Sequence, residues 1–250
     1  MKLKECLLTL FFAIVVSACV EQKSIVKEAA GKKIPLDKTT EILADDGFKS
    51  FLAPYKAQLD EKMNEVIGIA AQNMPVSAPE SLLSNFSADV YLQIGTEYLK
   101  SPVDIAIVNI KGLRTSIPAG EIKVSKIFEL MPFENELVIV WLRGSELSDL
   151  LQFFASIGGE GVSGIKMGIK KGMATDILVG GKVLDPEKVY VIATNDYLAE
   201  GNDGMKQLTG HVKRIDTGIK IRDMLIDFIR KETAKGNEIT SKLDGRIAIY

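Results

Sequence analysis

Three segments carry the residues best suited to bind a ligand, and they span residues 109–114, 131–135 and 194–205. Each follows a predicted strand or helix, and loops held by a rigid scaffold are where binding sites usually lie. The first segment ends in Arg114, whose guanidinium can donate two N–H groups to a phosphate or carboxylate. The alternative for Arg114 is a surface side chain that closes a turn.

Aromatic side chains stand in the other two segments. Phe133 follows a proline and precedes two polar residues, so it is either a buried core residue or a stacking surface for a flat ligand. Tyr197 lies in a segment with two glycines and several acidic residues, which is longer than a plain turn requires. Glycine lets the backbone approach a ligand closely. The alternative for this segment is a solvated connection.

The side chains that usually bind catalytic metals are scarce. Hydrolytic two-metal centres and zinc sites draw on histidine, cysteine and acidic side chains. The chain has one histidine, His211, and two cysteines, Cys6 and Cys19. We therefore expect no metal site and no cofactor in this chain, and neither a Cys–His pair nor a serine triad.

Composition and charge exclude several classes of protein. Hydrophobic residues make up 46% and charged residues 26% of the 250 residues, which is ordinary for a globular protein and excludes disorder, collagen and coiled coil. The net charge is −2, so the chain has no excess of basic residues with which to bind the phosphates of a nucleic acid. A single nucleotide remains a suitable ligand.

The N-terminus has the layout of a bacterial lipoprotein signal. Two lysines precede a short apolar run, and small residues lead to Cys19. We expect residues 1–18 to be a cleaved signal peptide, Cys19 to be lipidated and residues 19–45 to be a polar tether. This predicts a protein that is exported and anchored by lipid to a bacterial membrane, on the periplasmic side or the cell surface. An uncleaved membrane anchor is the alternative.

Residues 46–250 are predicted to form one mixed α/β (α+β) domain, because helix and strand patterns alternate without a strict βαβ rhythm. Residues 110–121 contain glycine and proline and are predicted to be a loop. Helices are predicted over 48–64, 80–98, 124–130, 144–156 and 218–233, and strands over 66–70, 104–109, 136–143, 165–170, 174–179, 188–194 and 246–250.

Five segments, taken in order, resemble the C-terminal domain of the 5′-nucleotidase family. Residues 80–89 resemble its "ESNLGNLIADA" helix, 109–114 its "NGGGIR" loop, 131–135 its "LPFGN" loop, 162–164 its "VSG" strand entry, and 195–204 its "NDYLASGGDG" loop. The resemblance covers about residues 48–250. It implies a fold like that domain, which in this family recognises the nucleoside beside a metal-bearing phosphoesterase domain.

The resemblance also implies a role for individual residues. The rings of Phe133 and Tyr197 would sandwich the base, Asn135 and Asp203 would form hydrogen bonds to the base or sugar, and Arg114 would reach the ribose and phosphate. The implied substrate-binding set is Asn109, Arg114, Phe133, Asn135, Tyr197 and Asp203.

The sequence departs from the family pattern at several loop positions. Lys111, Glu134 and Asn202 each replace a glycine, and Leu82 replaces an asparagine. Lys111 and Glu134 are therefore expected to place side chains where the family brings backbone close to the ligand. The phosphoesterase domain, with its Asp-x-His and Asn-His-Glu elements, has no counterpart in this sequence.

Three functions are consistent with these observations. The first is a nucleotide-recognising subunit of a 5′-nucleotidase-type hydrolase, a phosphoric monoester hydrolase of nucleotide catabolism, which acts with a separate metallophosphoesterase that would carry the divalent metals. The second is a stand-alone exported lipoprotein that binds a nucleoside or nucleotide without catalysis. The third is a scaffold that has lost binding. Whether the chain is itself an enzyme is left open.

Overall fold

A computed structural model of the protein describes residues 26, 28, 30–35, 37–41 and 45–250. The predicted signal peptide over residues 1–18 and the lipidation site Cys19 lie outside these residues. The predicted tether over residues 19–45 is described only in part. No helix among the described residues is long and apolar enough to cross a bilayer.

The chain divides into two compact units, residues 1–53 and 54–250. In the first unit, the described residues include a single helical turn, α1 (Lys38–Glu41). Helix α2 (Asp46–Met63) corresponds to the predicted helix over 48–64 and buries none of its residues. All further helices and strands belong to the second unit.

A five-stranded mixed sheet forms the centre of the second unit, with the strand order β10-β4-β9-β2-β5. Strands β2 and β9 are parallel, whereas β4, β5 and β10 run antiparallel to the neighbours with which they pair. The strands are β2 (Ile105–Val108), β4 (Glu136–Arg143), β5 (Gly161–Ser163), β9 (Val189–Asn195) and β10 (Lys213–Lys220).

Two smaller sheets flank the central one. A two-stranded antiparallel sheet pairs β1 with β3, and a four-stranded sheet has the order β11-β6-β7-β8. Their strands are β1 (Val66–Ala70), β3 (Gly120–Lys123), β6 (Ile165–Lys170), β7 (Met173–Val179), β8 (Lys182–Val183) and β11 (Ile247–Ile249).

Hydrophobic layers cover both faces of the central sheet. Because side chains alternate along a strand, Ile105 and Ile107 of β2 pack into one buried cluster, and Ala106 and Val108 into the other. Burial on both faces explains why this strand has a continuous apolar sequence. The helices of these layers are α3 (Leu82–Leu99), α4 (Val124–Leu130), α5 (Gly144–Ser156) and α7 (Ile221–Ala234), and a short helix, α6 (Asp196–Ala199), follows β9.

Helix α3 begins where its sequence provides a cap. The Ser81 hydroxyl accepts the Ser84 N–H, and the Ser84 hydroxyl accepts the Ser81 N–H, so the two residues form a reciprocal capping box. A cap of this kind stabilises a helix by about 1 kcal/mol.

Most predicted elements are confirmed, and the fold is the predicted mixed α+β fold. Two predictions are wrong at one place: residues 213–220 form β10, which the sequence did not indicate, and helix α7 therefore begins at Ile221 instead of residue 218. Strand β10 lies at the edge of the sheet, and no residue of it is buried. An edge strand of this kind lacks the apolar alternation by which strands are recognised.

Two predicted loops also contain regular structure. Residues 110–121 begin with a 3₁₀ turn, Ile110–Gly112, and end in the first residues of β3. Residues 194–205 are not one irregular loop, because β9 continues to Asn195, α6 follows directly, and Asn202–Gly204 form another 3₁₀ turn.

Candidate ligand-binding site

The direction of the central strands brings the predicted binding segments to one edge of the sheet. Strands β2 and β9 are parallel, so both end at this edge, and Asn109 and Asn195 stand at their ends. Strand β4 is antiparallel to β9 and begins at the same edge, where Leu137 pairs with Asn195. Strand β5 is antiparallel to β2 and also begins there, directly after Glu160.

A pocket of about 330 Å³ opens at this edge, and all six residues implied by the family resemblance line it. This volume is within the range that suits a small organic ligand. A larger cleft of about 860 Å³, lined by α3, α7 and residues 236–242, contains none of the six. The residues that line the smaller pocket are Asn109, Lys111, Gly112, Arg114, Met131, Phe133, Asn135, Asn195, Tyr197 and Asp203.

Two aromatic rings stand exposed in the pocket. Phe133 is 45% exposed and Tyr197 is 41% exposed, although large aromatic side chains are usually buried in proteins of this size. The interpretation of Phe133 as a core residue is therefore wrong, and its ring is accessible to a ligand. Tyr197 stands in the first turn of α6, which Asn195 caps by accepting the Leu198 N–H at 2.7 Å.

A carboxylate, Asp203, is held in the pocket by two neutral donors. The Tyr197 hydroxyl donates to Asp203 Oδ1 at 3.1 Å, and Asn109 Nδ2 donates to Asp203 Oδ2 at 2.7 Å. Asn195 Nδ2 donates in turn to Asn109 Oδ1 at 3.4 Å. Because the Tyr197 hydroxyl is bonded to a carboxylate, the pKa of Tyr197 is raised above its usual value, and the phenol stays protonated.

The amide of Asn135 is held by the first residue of α6. Asn135 Nδ2 donates to Asp196 Oδ1 at 2.7 Å, and the same oxygen accepts the Tyr197 N–H at 2.7 Å. The backbone carbonyl of Asn135 accepts the Ile221 N–H at 3.0 Å. Asn135 thus links the start of β4 to the helix that carries Tyr197.

Two cations line the pocket on the turn that follows β2. Lys111 and Arg114 are both exposed, and neither forms an ion pair within the part of the chain that the structure describes. Arg114 donates one long hydrogen bond, of 3.4 Å, to the Lys111 carbonyl. Cations without a carboxylate partner at the wall of an open pocket are suited to an anionic ligand group.

The turn that carries these cations requires glycine at position 112. A Cβ at Gly112 would lie 2.6 Å from Asn109 Oδ1, closer than real Cβ atoms approach an oxygen. The family-like glycine at this position therefore makes room for the Asn109 amide that binds Asp203.

The departures from the family pattern have different outcomes. Lys111 lines the pocket, as expected. The expectation for Glu134 is wrong, because its side chain does not line the pocket but pairs with Arg222 at 2.5 Å. The hydrogen bond from Arg222 also lowers the pKa of the Glu134 carboxyl. Asn202 donates to the Tyr197 carbonyl at 2.8 Å and so closes the loop in which it stands.

Sequence reasoning missed Glu160 and the bonding roles of Asn195 and Asp196. Glu160 is buried, and it accepts the Ile110 N–H at 2.7 Å. A glutamate placed between glycines directly before an apolar strand is the only sequence feature that marks it. The partners of Asn195 and Asp196 depend on strand pairing, which the sequence does not show.

No group of three or more histidine, cysteine or acidic side chains suitable for a metal occurs among the described residues. His211 lies outside the pocket, and its Nδ1 is 2.8 Å from the Leu208 carbonyl oxygen.

Comparisons with known proteins give a consistent result. The model of the family "5′-nucleotidase, C-terminal domain" matches residues 62–210. The chain is 27% identical over 212 residues to a 5′-nucleotidase of Vibrio vulnificus, a match that covers 82% of this chain and 38% of the relative. It is 26% identical over 224 residues to protein UshA of Escherichia coli, covering 86% of this chain and 40% of UshA.

A solved structure agrees with these matches. The crystal structure of a 5′-nucleotidase precursor from Thermus thermophilus superposes with a TM-score of 0.69 and 29% identity, covering 82% of this chain and 43% of that one. The chain therefore spans about two fifths of the length of the relatives that it matches.

Proposed function

The chain belongs to the 5′-nucleotidase C-terminal domain family, and we propose that it binds a nucleotide or nucleoside and presents it to a separate metallophosphoesterase chain. The observation that carries the proposal is the convergence of two exposed rings, three amides, a carboxylate and an arginine without an ion-pair partner among the described residues on one pocket.

The pocket offers complementary groups for each part of a nucleotide. Phe133 and Tyr197 supply faces on which a base can stack, and stacking on an aromatic side chain contributes about 1–3 kcal/mol per base. Asn135 and Asp203 supply polar groups for the base or the sugar. The Asp203 carboxylate can accept hydrogen bonds from the sugar hydroxyls. Lys111 and Arg114 supply positive charge for a phosphate.

The two-chain form of the proposal rests on composition. The 250 residues contain a single histidine, whereas two-metal hydrolytic centres draw heavily on histidine. The hydrolytic step would then belong to the partner, which would hold the divalent metals, whereas this chain would select the nucleotide.

We further propose that the protein is exported, that residues 1–18 are removed and that Cys19 carries a lipid anchor to a bacterial membrane. The basis is the apolar run followed by Val-Ser-Ala-Cys. Cys19→Ala is expected to block lipidation and cleavage at this position, so that the membrane-fraction protein becomes one that is uncleaved or processed elsewhere. An unchanged mass and distribution in the variant would contradict lipidation.

The same N-terminal sequence favours a second candidate, a stand-alone binding lipoprotein that captures nucleosides or nucleotides without taking part in catalysis. This candidate predicts that the pocket binds nucleosides and nucleotides with the same affinities, but that the chain does not stimulate the activity of any phosphoesterase. Stimulation of a metallophosphoesterase by this chain would separate the two candidates.

Calorimetry with adenosine and AMP tests ligand recognition directly. We expect a dissociation constant of about micromolar to millimolar, because two stacking contacts oppose the cost of immobilising a small ligand. Phe133→Ala and Tyr197→Ala should each weaken both ligands by about tenfold or more, since about 1.4 kcal/mol corresponds to tenfold. Arg114→Ala should weaken AMP more than adenosine.

Tyr98→Ala is the matched control for loss of an exposed ring. Tyr98 is 43% exposed near the end of α3 and does not line the pocket. It should leave both affinities unchanged. If the wild type binds no nucleoside or nucleotide saturably, the chain is a scaffold that has lost binding. If Arg114→Ala loses affinity equally for AMP and adenosine, only the phosphate role of Arg114 is refuted.

A further inference from the structure

One buried carboxylate beside the pocket has no part in the proposed function. Glu160 is only 5% exposed and directly precedes β5 at the edge of the central sheet. It is not among the residues that line the pocket. Burial of a carboxylate is costly unless the group is hydrogen-bonded, so its bonding partners indicate what it does.

The hydrogen-bonding partner of Glu160 is a backbone group of the neighbouring turn. Its Oε2 accepts the Ile110 N–H at 2.7 Å. Two charged side chains act on it, Asp203 by repulsion and Lys111 by attraction. Burial is the largest influence and raises the pKa of the Glu160 carboxyl.

Ile110 is the first residue of the turn that bears Lys111, and Arg114 lies two residues after the end of this turn. The 3₁₀ turn Ile110–Gly112 follows β2, and the N–H groups at the start of a helical turn have no partner within it. The Glu160 carboxylate supplies that partner. Gly112 and Leu113 complete the turn with hydrogen bonds to the carbonyls of Asn109 and Ile110.

We propose that Glu160 is the positioning residue of the pocket, which acts by accepting the Ile110 N–H and so holds the turn that presents Lys111 and Arg114. Its effect on a ligand rests on the proposed function, whereas its effect on the turn does not. The bond ties β5 to the end of β2 across 50 residues of sequence.

Glu160→Gln is the decisive variant because it keeps the size of the side chain. Glutamine is neutral, and its single acceptor oxygen forms a weaker hydrogen bond with the Ile110 N–H than the carboxylate does. The matched control is Asp89→Asn, because Asp89 accepts the Ser163 hydroxyl at 2.6 Å at the other end of the same strand and pairs with Arg246, away from this pocket. It reports any effect of simply loosening β5.

The first measurement is hydrogen exchange of the Ile110 amide, which requires no ligand. In Glu160→Gln, exchange at Ile110 should become about tenfold faster, because a neutral amide oxygen is a weaker acceptor than a carboxylate. Exchange in β4 should stay unchanged and show that the fold is intact. Asp89→Asn should leave exchange at Ile110 within about twofold of the wild type.

The second measurement is affinity for AMP and adenosine. Glu160→Gln should weaken AMP by about tenfold and adenosine by much less, because the displaced turn carries the cations. If Glu160→Gln fails to fold, the wild type alone suffices: the chemical shift of the Ile110 amide proton should follow the ionisation of Glu160 as the pH is varied.

The outcomes separate the two proposals. Unchanged exchange at Ile110 in Glu160→Gln, an equal acceleration in Asp89→Asn, or an Ile110 shift insensitive to pH would each overturn the positioning role. If the wild type binds no nucleotide but Ile110 exchange responds as expected, the positioning role of Glu160 stands and the proposed function fails.

Discussion

At the scale of single residues, asparagine side chains hold the carboxylates and one aromatic ring of the pocket in place by hydrogen bonds. Asn109 bonds Asp203, Asn135 bonds Asp196, and Asn195 bonds Asn109 and caps the helix that bears the second ring. An amide both donates and accepts, so it can connect a carboxylate to a backbone N–H or to a further amide. The pocket is therefore shaped before a ligand arrives, which reduces the entropy lost on binding.

The buried carboxyl of Glu160 predicts a characteristic dependence of stability on pH. Its pKa is raised in the folded protein, chiefly by burial, above the ordinary value of 4.5. Between these two values the folded state binds more protons than the unfolded state, so the free energy of unfolding falls as the pH rises through this window. Glu160→Gln lacks this titration.

Urea denaturation of the wild type and Glu160→Gln at several values of pH checks this prediction. The wild type should lose stability relative to the variant as the pH rises from about 4.5 through the raised pKa of Glu160. A stability difference that stays constant across this range would mean that Glu160 does not titrate with a raised pKa. The comparison cancels the contributions to stability of the carboxyls with lowered pKa values, such as Glu134, because they titrate in both proteins.

At the scale of elements, strand direction decides where the binding segments meet. A parallel pair, β2 and β9, and antiparallel neighbours on either side place two strand ends and two strand starts at one edge. Ligand sites of sheets flanked by helices often lie at the carboxyl ends of parallel strands. The short helix α6 then turns Tyr197 back over that edge.

The loop between α4 and β4 provides a prediction at this scale. Glu134 points toward Arg222, whose guanidinium also lies 4.1 Å from the centre of the Phe128 ring. Glu134→Ala should therefore leave the affinity for AMP within about threefold of the wild type, because the Glu134 carboxylate is paired with Arg222 and does not line the pocket. Lys111→Ala, which removes a cation that lines the pocket, should weaken AMP more.

Calorimetry on these two variants measures the contrast. If Glu134→Ala weakens or strengthens AMP as strongly as Lys111→Ala does, the Glu134 side chain reaches the ligand and its pairing with Arg222 is not maintained in solution.

At the scale of the whole molecule, residues 54–250 form one compact unit that corresponds to a part of its relatives. We expect the purified protein to hydrolyse no AMP in the presence of Mn²⁺, Co²⁺ or Zn²⁺. The reason is that two-metal hydrolytic centres draw heavily on histidine, and this chain has one.

Release of inorganic phosphate from AMP measures this expectation, with Tyr197→Ala as the control for contaminating enzymes. Metal-dependent turnover that persists through repurification and is lost in Tyr197→Ala would refute it. Stimulation of an exported metallophosphoesterase by the wild type, but not by Tyr197→Ala, would favour the two-chain function over the stand-alone lipoprotein.

The sequence by itself determined the fold class and most of the elements. Strand β4 and helix α5 occur over the predicted residues, because β4 is a continuous apolar run rich in β-branched residues and α5 repeats its apolar residues every three to four positions. It also indicated the six pocket residues, through the resemblance of its loop motifs to those of the 5′-nucleotidase C-terminal domain. Their roles in binding stay predictions.

Only the tertiary structure decided which of these residues meet and where the remaining side chains point. Strand β10 is recognisable only by its pairing with β4, and Glu134 is directed out of the pocket by an arginine 88 residues later in the chain. Glu160 is linked to the pocket by a backbone N–H 50 residues earlier. Contacts between residues so far apart depend on the packing of the whole sheet, and local periodicity carries no information about them.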